Sequence, residues 1–287
     1  MCRLFGMHCG RLPMTATFWL LDAPDSLRLQ GRRNPDGTGI GVFEPDGTAR
    51  VDKQPIDAWD DTDFARDART MHGTTFVAHV RYASTGAHTV ANTHPFERDG
   101  RIFAHNGVVE GLDALDARLD ELGARTLVEG ETDSERVFAL ITAEVRRNCG
   151  DVADGVNAAI GWIAEHLPVL SLNFVMVTAK DLWALRYPET HPLWYLERAD
   201  RVPGEAGWDG ASARIRTRVA PSDDDHRTVV VATERMDDEP GWSALEPGEL
   251  MHVDRDLAVT RTVAFGPLRH PLTLADLEPT ASASQRA

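Results

Sequence analysis

A cysteine at position 2 places a thiol where removal of Met1 would also free an α-amine on the same residue. A thiol titrates near ~8.5 and an α-amine near ~8, so a neutral amine can take the thiol's proton near neutral pH. Cysteine is small enough for an initiator methionine to be trimmed before it, so one cleavage would complete a nucleophile and its base. The competing reading of Cys2 is a small apolar group buried in a first strand, since free cysteine is among the most often buried residue types.

A thiolate that attacks a carbonyl needs donors for the developing oxyanion and groups that hold the substrate. His105-Asn106-Gly107 offers a side-chain amide next to an unshielded backbone N–H, two donors able to meet one oxygen. Asn-Gly is equally a tight-turn dipeptide. Arg81, ending an apolar run and followed by the small-residue loop Tyr82-Ala83-Ser84-Thr85-Gly86, suits a bidentate clamp on a carboxylate; its alternative is a surface salt bridge. Asp133 could hold a substrate ammonium, cap the helix that follows it, or do both.

The five histidines from His72 to His105 show no i, i+4 pair and no zinc spacing, so neither a metal nor another cofactor is expected. Asn92-Thr93-His94-Pro95-Phe96 reads as a rigid loop with His94 as a structural hydrogen-bonding group. No Gly-x-Ser-x-Gly elbow supports a serine triad.

These residues have to be positioned by short β-rich runs: Arg3 to Cys9, Gly39 to Phe43, Thr74 to Tyr82, Arg101 to His105, Ser171 to Thr178, Leu182 to Arg186, Thr228 to Thr233 and Glu249 to Val253. Turn signals such as Pro35-Asp36-Gly37 and Pro45-Asp46-Gly47 separate them. Three amphipathic helices are expected, around Leu112 to Leu122, around Val137 to Val145 behind an Asp133 or Ser134 cap, and around Val152 to Ile163. Single apolar helix faces among many strands predict an α+β fold with helices covering sheets. Residues 2–279 are expected to form a single domain, with 199–227 as a charged loop or insertion and 280–287 as a disordered tail of low hydrophobicity.

The chain has 287 residues and a formal net charge of −15, which disfavours nucleic acid as a partner and points to small-molecule chemistry. Cys2, Cys9 and Cys149 are too few for a disulfide framework, and neither a signal peptide nor a membrane span is legible. A cytoplasmic protein that works away from the membrane is expected.

Taken in order, Cys2-Arg3-Leu4-Phe5-Gly6, Arg33-Asn34-Pro35-Asp36-Gly37, Arg81 to Gly86, Asn92 to Phe96, His105-Asn106-Gly107 and Gly130-Glu131-Thr132-Asp133-Ser134 resemble the glutaminase domain of class II glutamine amidotransferases. The resemblance covers roughly residues 2–265 and implies the four-layer αββα sandwich of N-terminal-nucleophile (Ntn) hydrolases. It also implies roles: Cys2 as nucleophile with its own α-amine as base, Asn106 and the Gly107 N–H as oxyanion hole, Arg81 on the substrate α-carboxylate and Asp133 on the α-ammonium. Tyr82 and Thr85 depart from the Trp and His of sugar-phosphate-amidating members, which puts coupling to a partner domain in doubt.

Only about twenty residues follow the glutaminase-like region, so no synthase domain is expected in this chain. Leu182 to Tyr187, Val229 to Glu234 and Glu239 to Trp242 resemble stand-alone class II proteins related to the γ-glutamyl hydrolase of ergothioneine biosynthesis. The leading expectation is a stand-alone amidohydrolase cleaving a γ-glutamyl amide, either glutamine or a γ-glutamyl conjugate, through a γ-glutamyl thioester. The alternatives are a glutaminase subunit that hands ammonia to a separate synthase partner, and a non-catalytic binding protein of the same fold.

Overall fold

The structure, a computed structural model, describes residues 1–82, 86–198 and 226–286. Residues 83–85 of the small-residue loop and 199–225 of the expected insertion lie outside the described residues.

The strands form two antiparallel sheets. The first holds β1 (Arg3–His8), β2 (Gly37–Phe43), β3 (Ala49–Gln54), β4 (Thr75–Arg81), β9 (Trp194–Arg198), β10 (Thr228–Ala232) and β11 (Ser243–Ala244), in the order β11-β9-β10-β1-β4-β2-β3. The second holds β5 (Phe96–Arg98), β6 (Arg101–Val109), β7 (Val169–Val177), β8 (Leu182–Arg186), β12 (Glu249–Val253) and β13 (Val259–Val263), in the order β13-β12-β8-β7-β6-β5. The start of the chain is thus not a frayed end. β1 is ladder-bonded on both sides, to β10 and to β4.

Alternation along the strands assigns each side chain to a layer. Leu4 and Val77 of the first sheet meet Ile102, Ala104 and Val175 of the second in a core between the sheets. Phe5, Met7, Phe76 and Val80 point the other way, onto α1 (Leu27–Gly31), α2 (Thr62–Thr70) and the helical turn Phe18–Asp22. On the far side Phe103, Val109, Phe174 and Met176 pack against α3 (Leu112–Glu121), α4 (Asp133–Arg147) and α5 (Val152–His166). The result is an α+β sandwich in the order helices, sheet, sheet, helices. Gly6 sets the approach of the two sheets, because a Cβ there would lie 2.5 Å from Val175 Cγ1.

Three expectations need correction. The strand expected to stop at His105 runs on to Val109, with Asn106 opposite Asn173 and Gly107 opposite Leu172. Asn106-Gly107 is therefore strand and not turn. Thr132, not Asp133 or Ser134, caps α4; its hydroxyl accepts from the Glu135 N–H at 3.2 Å. The segment expected as a disordered tail forms α6 (Pro279–Arg286), whose Ala281, Ser282, Ser284 and Gln285 are buried. Ala281 packs with Val108, Leu170 and Leu277, and Gln285 Oε1 lies 3.1 Å from His191 Nε2, so shape-fitting and side-chain bonds hold a helix that composition alone does not predict.

No helix among the described residues is long and apolar enough to cross a membrane.

Candidate active site

Cys2 immediately precedes β1 and lies at the end of the sandwich where β4 and β6 also deliver residues. The sulfur is half-buried, and the Tyr82 N–H donates to it at 3.2 Å. Burial pushes the thiol's pKa up, while the Tyr82 backbone, the chain-terminal amine and the cations Arg81 and Arg3 pull it down. The net rise keeps the proton on sulfur, so attack requires a base close by. The Met1 amine is itself pushed down to about 6, chiefly by burial. An amine in this environment is neutral at pH 7 and fit to accept a proton.

The segment is held in register by its third residue. Arg3 is buried, donates to the Met1 carbonyl and forms a 2.7 Å ion pair with Glu234, just beyond β10. Charge burial of this kind persists only when the partner is placed, so β1 and the end of β10 are fixed to each other beside the nucleophile. Sequence reading attached no role to Arg3 or Glu234.

Asn106 projects from β6 on the side shared with Ile102 and Ala104, toward the first sheet, and its Nδ2 donates to the Cys2 carbonyl at 2.7 Å. Gly107 is required by close approach. A Cβ at that position would collide with the Ser171 carbonyl and sit 2.9 Å from His105 Nε2. Arg81, at the end of β4, is only 4 % exposed, which excludes the surface salt bridge considered for it. Its guanidinium donates to the Ala87 carbonyl at 3.3 Å, and Cys2, Asp36 and Asp133 all act on its charge.

Asp133 opens α4. Its Oδ2 accepts from the Val109 N–H at 2.9 Å and its Oδ1 from the Ser134 N–H at 2.8 Å, so it ties the helix start to the end of β6. The loop before it is clamped by Glu135, whose carboxylate accepts from the N–H groups of Glu129 and Gly130 at 3.0 and 2.6 Å. Asn92 holds the same loop, accepting from the Glu131 N–H at 2.8 Å.

His94 differs from expectation. It is a packing group, with its ring 4.2 Å from His79 and 4.7 Å from Phe96, and neither nitrogen has a hydrogen-bond partner among the described residues. Burial keeps His94 well below the ordinary histidine pKa and His79 at about 3, so both are neutral, and it lowers His105 as well, against the opposing pull of Asp133 and the Ser171 backbone. His105 Nδ1 lies 2.9 Å from Ser134 Oγ, behind Asp133.

Cys2, Arg81, Gly107 and Asp133, together with Tyr82 and His105, line one small cavity. Asn106 reaches the same point through the Cys2 carbonyl. A thiol, a guanidinium, a carboxylate and amide donors around one cavity can hold the two charged ends of an α-amino acid and present a carbonyl to sulfur. Of this set sequence reasoning missed the Tyr82 N–H, His105 and Ser134. No group of His, Cys, Asp and Glu suited to a metal ion occurs among the described residues.

The family model of the class II glutamine amidotransferases matches residues 1–270. The chain is 28% identical over 261 residues to the γ-glutamyl-hercynylcysteine sulfoxide hydrolase of Mycolicibacterium smegmatis, covering 87% of this chain and 95% of that one. It is 27% identical to the putative glutamine amidotransferase YafJ of Escherichia coli, over 87% of this chain and 96% of that one. A protein of Methanocaldococcus jannaschii is 36% identical over 153 residues, a match to 51% of this chain and only 39% of the relative. Among solved structures, the glutamine phosphoribosylpyrophosphate amidotransferase of B. subtilis superposes with a TM-score of 0.65 at 17% identity, over 93% of this chain and 50% of that one. A glutamine aminotransferase class-II domain protein of Silicibacter pomeroyi gives 0.60 at 20% identity, over 91% and 98%. These likenesses identify the sandwich as that of the Ntn hydrolases, and the chain belongs to the class II glutamine amidotransferases, enzymes that open an amide bond.

Proposed function

We propose that this protein hydrolyses a γ-glutamyl amide through a γ-glutamyl thioester on Cys2. The observation that carries the reading is the cavity that collects Cys2, Arg81, Gly107 and Asp133, with the Asn106 amide against Cys2. A relative named for cleaving a γ-glutamyl bond supports the bond class; its own substrate is not transferred at 28% identity.

Removal of Met1 leaves the α-amine on Cys2. That amine takes the thiol proton as sulfur attacks the γ-carbonyl, and the oxyanion is met by Asn106 Nδ2 and the Gly107 N–H. An Asn amide has two N–H donors, so one can keep the Cys2 carbonyl while the other serves the oxyanion. The C–N bond breaks as the amine returns its proton to the leaving nitrogen. Water then adds to the thioester, the amine takes its proton, and collapse of the intermediate releases glutamate and restores the thiol. Arg81 holds the α-carboxylate and Asp133 the α-ammonium throughout. The chemistry requires a free thiol, which suits a reducing, cytoplasmic setting; all three cysteines are free.

Mass spectrometry tests this directly. The protein should lack Met1, and acid quenching during turnover should trap a γ-glutamyl group on Cys2. An active protein that retains Met1 overturns the mechanism. Glutamine hydrolysis measured with and without co-purifying proteins separates a self-sufficient hydrolase from a subunit that delivers ammonia to a synthase.

A further inference from the structure

The two groups proposed to hold the charged ends of the substrate come from different parts of the chain. Arg81 ends β4 of the first sheet, and Asp133 opens α4 and is tied to β6 of the second through the Val109 N–H. No ladder therefore sets the distance between the two charges. A clamp with two jaws discriminates only when each is held within about 0.5 Å of its productive place, which takes supporting contacts behind the residues that touch the ligand.

Those contacts meet at Asn92, which is 1 % exposed. Its Nδ2 donates to the Ala87 carbonyl at 3.1 Å, the same oxygen that accepts from Arg81 Nη1 at 3.3 Å. Its Oδ1 accepts from the Glu131 N–H at 2.8 Å, two residues before Asp133. Glu131 closes the circuit from the other side. Its Oε2 accepts from the Ala87 N–H at 3.0 Å and from Asn92 Nδ2 at 3.1 Å. These two donors hold the Glu131 carboxyl below its ordinary pKa, so it is charged. Both polar atoms of the Asn92 amide and both backbone polar groups of Ala87 thus take part in one joint between the loop after Arg81 and the loop before Asp133.

Two glycines make room for the joint. A Cβ on Gly86 would lie 3.1 Å from Asn92 Nδ2, and one on Gly130 would lie 2.5 Å from Asn92 Oδ1, so the amide is packed between the two loops. Gly86 also has a φ of +76°, which favours glycine. Asn92 is held from behind as well. Its N–H donates to the Thr89 carbonyl at 3.2 Å, and Lys53 Nζ donates to the carbonyl of the next residue, Thr93, at 2.7 Å.

We propose that Asn92 and Glu131 are positioning residues that lock Arg81 and Asp133 at the separation of a carboxylate and an ammonium on one carbon, so that the joint selects an intact α-amino-acid head. The assignment rests on the reading of Cys2 as the nucleophile toward γ-glutamyl amides, and it adds two residues that lie outside the cavity at Cys2.

The ligands for the test are L-glutamate, the half that every γ-glutamyl substrate leaves behind, glutarate, which lacks the α-ammonium, and 4-aminobutyrate, which lacks the α-carboxylate. Their Kd values, read by ligand-observed NMR titration, do not depend on the leaving group. The wild-type protein should bind L-glutamate at least about tenfold more tightly than either truncated ligand. Glu131→Ala, at an exposed position, should weaken L-glutamate about tenfold and the other two less than about twofold, and should raise KM for a γ-glutamyl amide with kcat nearly unchanged. Glu131→Gln keeps one acceptor oxygen and should recover part of the loss. Asn92→Ala should show the same pattern, and the exposed Glu131 variants decide the question should that buried variant fail to fold. Equal weakening of all three ligands in Glu131→Ala, or no weakening, would overturn the joint while Cys2 acylation still stood. A wild-type protein indifferent to the loss of either charged group would overturn it together with the roles of Arg81 and Asp133. Absence of any glutamate release and of any acyl group on Cys2 would overturn the underlying hydrolase reading, and the joint's role with it.

Discussion

Asn106 Nδ2 donates to the Cys2 carbonyl oxygen at 2.7 Å, across the gap between two sheets. The residue proposed to stabilise the oxyanion thus also fixes the backbone of the nucleophile. Asn106→Ala should lower kcat by about 100- to 1000-fold, the usual loss for one oxyanion donor, with a much smaller change in KM. Steady-state kinetics on glutamine or a γ-glutamyl amide would decide it. A variant altered only in KM would show that Asn106 binds the ground state.

The environment of the chain start makes a second prediction. Burial pulls the Met1 amine down to about 6, and processing leaves the Cys2 amine at the same end of the sandwich, beside the same Arg3 and Glu234. A lowered amine pKa means that the neutral, proton-accepting form is present above that value and is lost as pH falls through it. The acid limb of kcat/KM should therefore be centred well below the ~8 of an ordinary α-amine, leaving full activity at pH 7. A limb centred near 8 would show that the catalytic amine is solvated.

Much of this site is legible in the chain because its residues stand in short, ordered motifs, and strand alternation then brings them to one end of the sandwich. What is not legible has physical reasons. Asn106-Gly107 carries a turn signature, and only the close approach of the Ser171 carbonyl shows why a glycine belongs in the middle of a strand. α2 is only nine residues long and carries a single large apolar side chain, Phe64, beside the small Ala65 and Ala68, with Asp67 buried among them, so its apolar face is short and mixed in the sequence. α6 buries Ser and Gln beside alanine, so it has no hydrophobic period to read. The ion pair of Arg3 with Glu234 joins residues far apart in the sequence and has no local signature at all.

The buried histidines set the acid stability. His79, His94 and His105 all have folded pKa values lowered by burial, while in the unfolded chain they titrate near ~6.5. The unfolded state therefore binds more protons as pH falls below about 6.5, and stability falls with it, continuing for His79 toward about 3. His79 and His94 each contribute a slope approaching about 1.4 kcal/mol per pH unit in that window, and His105 adds in the same direction. Thermal unfolding from pH 7 to 4.5 should show a steep loss of Tm beginning near pH 6, before the carboxylates titrate. His79→Gln should reduce the slope, and a flat Tm over that range would contradict neutral burial of these rings.

Arg81 is proposed to recognise the substrate α-carboxylate with a planar fork. Arg81→Ala should raise KM by more than tenfold and leave the chemical step much less affected. Arg81→Lys should recover little of the loss, because one ammonium cannot reproduce two parallel N–H donors. A Lys variant with normal KM would reduce the interaction to simple charge.

Gly107 gives the sharpest separation of geometry from chemistry. Gly107 stands opposite Leu172 in the β6–β7 register, and the only thing an alanine adds is a methyl group driven into the Ser171 carbonyl and toward His105 Nε2. Relief requires β6 and β7 to part at the point where the Gly107 N–H must meet the oxyanion. Gly107→Ala should therefore cost about 1–3 kcal/mol of stability, as overpacking does, and should also lower kcat. Chemical denaturation and kinetics on the same preparation read both. If stability dropped while kcat held, the Gly107 N–H would not be an oxyanion donor; if neither changed, the close approach of β6 and β7 would itself be wrong.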